Sequence, residues 1–240
     1  MTAKDDRVDM ETAYLLHVRP WRETSQLVEA LSQQHGRVGL VARGSRRPRS
    51  RWANLLQPFR PLYVSWSGRG GLHTLRAAES SGELGAMSGK RLMAGYYINE
   101  LILEFTHRGD PHPALFAHYA AALAGLTNQE DVEMVLRRFE IALLNEVGYG
   151  LTLGCVAGTQ EALRPDREYG YLMDRGPVAA DTIDADGLVL SGSILLAIEA
   201  GDFHSEPVRR GAKRLLRAIL NHHLGGRRLK TRDVMASMRF

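Results

Sequence analysis

Between residues 12 and 77 the apolar residues come in short runs broken by glycine, proline and serine, whereas beyond Ser81 they recur every three or four residues. The first pattern predicts strands and the second predicts helices. Residues 12–19 read as a short extended run that Pro20 interrupts, because proline lacks the N–H a sheet ladder needs. Residues 25–34 fit a strand or a helix. Gly36 predicts a turn into residues 37–41, where branched side chains favour a strand. Residues 61–66 and 72–77 predict a hairpin around Ser67-Gly68-Arg69-Gly70-Gly71. A helical piece is expected at residues 50–56. Five strands in roughly 70 residues suit a small OB-type barrel; an SH3-like barrel shows a similar pattern, so fold alone leaves function open.

The helical part begins with Leu92, Met93, Tyr96, Tyr97, Leu101, Ile102 and Phe105, which share one face of a helix over residues 90–107. Asp110-Pro111-His112-Pro113 breaks the pattern, and Pro113 suits the first turn of a second helix over 114–126. A third helix, expected to be capped by Asn128, carries Glu130, Asp131 and Glu133 near its positive end. Its apolar stripe is Val132, Val135, Leu136, Phe139, Leu143 and Val147, and Gly148 stops it. Residues 151–190 predict a long loop or a small subdomain with short strands. Ser191 or Ser193 starts a short helix through Ala200, and Ser205 with Pro207 opens a last strong helix running to Leu224. The expected architecture is α+β. A five-stranded OB-type barrel over residues 1–82 precedes a helical domain over 83–240, with an irregular insertion near 150–190.

Charge sharpens this picture. Residues 30–78 contain nine arginines and no aspartate or glutamate; the whole chain carries +4, so everything outside that block carries −5. A polyanion is the natural partner of such a block, and nucleic acid is the commonest polyanion. The densest part is Arg43-Gly44-Ser45-Arg46-Arg47-Pro48-Arg49-Ser50-Arg51-Trp52. Its guanidinium groups suit phosphates, and no acidic residue lies nearby in sequence to pair with them. Arg37 extends the set. Trp52, Trp66 and Tyr63 offer faces for unpaired bases or large side chains for a barrel core, the core being favoured. A second basic feature lies on the last helix, where Arg209, Arg210, Lys213, Arg214 and Arg217 share about half of the surface and Leu215, Leu216, Ile219 and Leu220 form the buried stripe. With Arg137-Arg138 beside Phe139, they read either as a basic rim fit for an acidic tail or as ordinary charged outer faces.

Catalytic readings find little support. Cys155 is the only cysteine, which excludes an intramolecular disulfide and any zinc site needing two thiolates. His222 and His223 are adjacent and so point apart on a helix. His107, Asp110 and His112 match no metal spacing, and Asp181, Asp184 and Asp186 lack the pattern of a calcium loop. No enzyme activity and no cofactor are expected. Residues 1–11 do not read as a signal peptide, and no apolar run approaches the roughly 20 residues that cross a bilayer, so a cytosolic place without a membrane partner is expected.

Several phrases together resemble the RecO family of bacterial recombination mediators. They are Leu16-His17-Val18-Arg19-Pro20-Trp21-Arg22-Glu23-Thr24-Ser25, His35-Gly36-Arg37-Val38-Gly39-Leu40-Val41-Ala42-Arg43-Gly44, Leu56-Gln57-Pro58-Phe59-Arg60-Pro61-Leu62, Tyr97-Ile98-Asn99-Glu100-Leu101, Leu136-Arg137-Arg138-Phe139-Glu140, Gly148-Tyr149-Gly150 and Leu224-Gly225-Gly226-Arg227-Arg228-Leu229-Lys230-Thr231-Arg232. They run through nearly the whole chain in order. The resemblance implies binding of single- and double-stranded DNA, strand annealing, and RecA loading with the partner RecR. It also implies binding of the acidic C-terminal tail of single-strand-binding protein through Arg137 and Arg210, near Phe139 and Arg214. Some members carry a four-cysteine zinc site after the Gly-Tyr-Gly phrase; this chain keeps only Cys155 there and resembles the zinc-free branch. An RNA-binding factor on the same barrel is the alternative.

Overall fold

Five strands close on themselves in the order β1-β2-β3-β5-β4. The strands are β1 (Asp6–Trp21), β2 (Ser25–Ser32), β3 (Gly36–Ala42), β4 (Pro61–Gly68) and β5 (His73–Ser80). This computed structural model describes residues 6–238 except 53, 84, 160, 185 and 186. Closure is of the OB type. One long strand pairs with β4 through its first half and with β2 through its second, and β5 meets β3 in parallel. Two register shifts let β1 serve both neighbours, one of them at Met10, whose φ is +53°. Such bulges bend a strand and tighten its twist.

The barrel core follows the two-residue period of its strands: Ala13 and Leu15, Val28 and Ala30, Val38, Leu40 and Ala42, Leu62, Val64 and Trp66. Trp52 and Leu56 complete it from the loop between β3 and β4. That loop is a series of turns among its described residues, with Leu55 and Leu56 donating to the Trp52 carbonyl, so the helical piece expected at 50–56 does not form as a regular helix. Pro20 does not end its strand either. Beyond Tyr14, β1 has a strand partner on one side only, and proline is tolerated on such an edge. The ambiguous stretch from Ser25 is β2. Its pattern lacks alternation because Leu27 and Leu31 are buried as well as Val28 and Ala30.

Two compact units divide the chain, Met1–Gln129 with Leu229–Phe240, and Glu130–Arg228. In the first, α1 (Gly89–Phe105), α2 (Pro113–Thr127) and α6 (Lys230–Ser237) join the barrel. Tyr14 of β1 lies 5.4 Å from the Phe116 ring and 5.1 Å from the Tyr119 ring. Asn99 of α1 donates to the Leu16 carbonyl at 2.8 Å and accepts from the Tyr119 hydroxyl at 2.8 Å, a buried chain that satisfies each polar group it contains. Burial pushes the Tyr119 hydroxyl well above its usual range, so it remains a donor.

In the second unit, α3 (Val132–Glu146), α4 (Gly192–Glu199) and α5 (Glu206–His223) accompany a three-stranded sheet. Its strands are β6 (Glu168–Leu172), β7 (Gly176–Ala179) and β8 (Val189–Ser191), in the order β7-β6-β8. The cap of α3 is Asp131, whose side chain accepts from Met134 N; Asn128 instead ends α2. Ser191 and Ser205 cap α4 and α5 in the same way. No helix is long and apolar enough to cross a membrane, among the described residues.

Candidate nucleic-acid interface

Hairpin pairing brings two separate stretches of the barrel together. The register of β2 with β3 sets Gln26 opposite Ala42, so the turn at residues 22–24 lies beside the loop that begins at Arg43. Arg46 N donates to the Thr24 carbonyl at 2.9 Å and ties the two backbones. Between them and the start of β5 lies a groove of about 650 Å³, lined by Trp21, Arg22, Arg43, Arg47, Leu72 and His73 among others. Three guanidinium groups and an indole therefore share one open concavity. Gly44 at φ +69° and Arg49 at φ +60° take the left-handed conformations that keep the loop compact. Arg47 N and Ser50 N close its turns onto the Gly44 and Arg47 carbonyls.

The arginines of the acid-free block have unequal freedom. Arg43, Arg47, Arg49 and Arg69 are exposed, and none makes a side-chain hydrogen bond or ion pair among the described residues. Arg46 is exposed and reaches only the Arg22 and Glu23 carbonyls, at 3.4 and 3.3 Å. Arg51 donates to the Arg76 carbonyl at 2.9 Å and lies over the Trp52 ring, 4.3 Å from its centroid. Trp52 itself is buried in the barrel core, and so is Trp66, while Tyr63 is exposed on β4. The Trp52 indole thus seats the loop and presents no open face to a base.

Arg37 is engaged within the protein. Glu29, one position before the acid-free block, lies 3.7 Å from its Nε and also takes a two-pronged bond from Arg108. Arg37 further donates to the Leu103 carbonyl. Burial, followed by the neighbouring Arg108, lowers the Arg37 guanidinium from its ordinary value despite the opposing pull of Glu29. An acid distant in sequence from Arg108 is its partner in space, which a local count of charges misses. Arg22, Trp21, Leu72 and His73 were equally invisible as site residues. Arg22 falls outside the acid-free block, and only strand register places it beside Arg43.

Exposed guanidinium groups gathered in an open groove have the donor chemistry that phosphate oxygens accept. Comparison with known proteins decides the family. Residues 10–83 match the family described as Recombination protein O N terminal, and residues 87–233 match Recombination protein O C terminal. The chain belongs to the RecO family. Proteins called DNA repair protein RecO are similar along nearly their whole length. That of Azoarcus sp. is 44% identical over 98% of each chain, and that of Aromatoleum aromaticum is 42% identical, also over 98% of each. That of Methylococcus capsulatus is 46% identical over 96% of this chain and 94% of its own.

The C-terminal RecO unit presents its own basic surface. On α5, Val208, Ala212, Leu215, Leu216, Ile219 and Leu220 are buried, and Arg210, Lys213, Arg214 and Arg217 are exposed. Lys213 donates to Glu133 of α3 at 2.8 Å, and Arg210 lies 3.4 Å from Glu206, which also binds Arg209. These bonds hold the Glu206 carboxyl below its ordinary value. Arg137 and Phe139 occupy a different setting. Arg137 is 7% exposed and bonds Glu140 at 2.7 Å, and Phe139 is 2% exposed. Of the four residues expected at a tail-binding site, α5 therefore leaves two open, and α3 packs two inside.

One further expectation changes. His222 and His223, expected to point apart, both reach Asp174, at 2.9 and 3.4 Å. Of the three clustered aspartates, Asp186 lies outside the described residues. The four-cysteine zinc site of some RecO members does not fit this chain. Cys155 is the only thiol, and its backbone bridges Ala162 as part of the fold.

Proposed function

We propose that this chain is a non-enzymatic, DNA-binding recombination mediator that anneals complementary strands and helps RecR to load RecA on strands coated by single-strand-binding protein. The observation that carries the reading is the groove of Arg22, Arg43 and Arg47 on an OB-type barrel. Guanidinium groups that are exposed and uncommitted can exchange water for phosphate oxygens without first breaking a protein contact. Holding two backbones on one cationic surface offsets the repulsion between strands, which is the electrostatic barrier to annealing. The contact set is Arg22, Arg43, Arg46, Arg47 and Arg49; Arg37, Arg51 and Trp52 support the barrel and its loop.

The acidic tail of single-strand-binding protein would meet the C-terminal unit through Arg210 and Arg214. Arg137, buried and bonded to Glu140, supports the packing of α3 in the same unit. Membership of the RecO family supports the DNA side of this reading. Replacing Arg43 and Arg47 by glutamate reverses two charges in the groove. Annealing of naked strands by this variant should fall at least tenfold, with an unchanged circular dichroism spectrum; annealing at the wild-type rate overturns the groove assignment. In the same assay, an Arg210→Ala, Arg214→Ala variant should anneal naked strands normally and lose its advantage on coated strands. Matched DNA and RNA strands in competition separate this reading from an RNA-binding role.

A further inference from the structure

We propose that Asp174, His222 and His223 form a binding site for a divalent transition-metal ion of the zinc class. The site lies wholly in the C-terminal unit and is independent of the DNA groove. Asp174 stands in the three-residue turn between β6 and β7, in a left-handed conformation at φ +62°. His222 and His223 are the last two residues of α5. Adjacent helical side chains diverge by about 100°, yet both can reach one carboxylate that faces the helix end between them. His222 Nε2 lies 2.9 Å from Asp174 Oδ2 and His223 Nε2 lies 3.4 Å from Oδ1. One ligand atom from each of the three residues falls within 4.8 Å of the others.

The spacing suits an ion. Bonds of about 2.1 Å in tetrahedral geometry set ligand atoms about 3.4 Å apart. The His223–Asp174 separation already has that value, and the His222–Asp174 pair must open by roughly half an ångström. His222 is exposed enough to make that adjustment. The His223 ring is held in place: Tyr149 stacks on it at 3.8 Å with 13° between the planes. His223 and Asp174 also line a cavity of about 160 Å³, which has room for the water that completes a coordination shell. Two imidazole nitrogens with one carboxylate select zinc and its neighbours over magnesium or calcium, which prefer oxygen alone. The last carbonyls of α5 add partial negative charge at the same end. Arg175 lines the same cavity and sets a cation against the ion, so an anion or water at the open position is part of the site.

Untagged protein stripped with a chelator provides the test. Zinc competed against a chromophoric chelator should bind at one equivalent per chain, and cobalt should give visible d–d absorption. His222→Gln and Asp174→Asn should each weaken binding at least ~10-fold. Asparagine tolerates the left-handed backbone at position 174, and His222 is on the surface, so neither change threatens the fold. As a second readout, zinc should raise the melting temperature of the wild type and leave that of both variants unmoved. Cys155→Ser should bind as the wild type does. No saturable uptake by the wild type, retention of affinity in either ligand variant, or loss of binding in Cys155→Ser overturns the site.

Discussion

Glu29 decides what two arginines do. Its side chain is 13% exposed, and it holds Arg108 by a two-pronged hydrogen bond while standing beside Arg37. Arg108 also reaches the Gly71 carbonyl at 3.0 Å, so the segment after α1 is tied to the turn between β4 and β5. Removing the carboxylate charge leaves two guanidinium groups close together with poorer acceptors. Glu29→Gln should therefore destabilise the protein by about 1.5–3 kcal/mol, the range for hydrogen bonds to charged groups. Chemical denaturation followed by tryptophan fluorescence reads this directly, since Trp52 and Trp66 are both in the barrel core. An unmoved midpoint contradicts the structural role given to Glu29. Binding of DNA should survive the change, because the groove arginines do not depend on it.

Among the elements, α6 shows how a helix with almost no packing of its own is held. None of its residues is buried, and Leu229 at its N-terminal boundary provides no side-chain cap. Glu100 of α1 takes the place of the cap. It accepts from Lys230 N at 2.8 Å, from Thr231 N at 2.9 Å and from the Thr231 hydroxyl. A carboxylate there satisfies two of the free N–H groups of the first turn and complements the positive end of the helix. Arg232 adds a bond to the Tyr97 hydroxyl at 3.0 Å. Two phrases that carry the family resemblance, around Glu100 and around Thr231, are thus partners in space. Glu100→Ala should let residues 230–237 fray, seen as faster amide exchange confined to that segment, with the barrel amides unchanged. Uniform exchange in both proteins excludes the capping role.

For the whole molecule, the question is how charge is distributed. The block from 30 to 78 carries the net positive charge, and the structure distributes its nine arginines between service to the fold and exposure on a groove. With about five phosphates engaged by Arg22, Arg43, Arg46, Arg47 and Arg49, the logarithm of single-strand affinity should fall with the logarithm of salt concentration at a slope of about −3.5. Engagement of all nine arginines of the block predicts a slope near −6. Fluorescence anisotropy across a salt series separates the two. A slope close to zero removes backbone contact from the proposed function altogether.

Local periodicity was legible because it depends on near neighbours. Branched and aromatic residue types marked β3 and β4, the glycine-rich turn marked β5, Pro113 marked α2, and the three- and four-residue spacing marked α1, α3 and α5 close to their observed bounds. The basic loop from Arg43 was equally plain, since nine consecutive residues hold five arginines. Period-based reasoning failed where an element is buried on two faces, as in β2, or on none, as in α6. It failed again wherever a partner is remote. Glu29 meets Arg108 across 79 positions, Thr231 meets Glu100 across 131, and His222 meets Asp174 across 48. Side-chain type and order along the chain set the local geometry of strands and helices, through sterics and the burial of one face. Which arginine stays free, which is neutralised, and which carboxylate two histidines share depend on chain closure over long separations. No neighbour relation in the sequence encodes that closure.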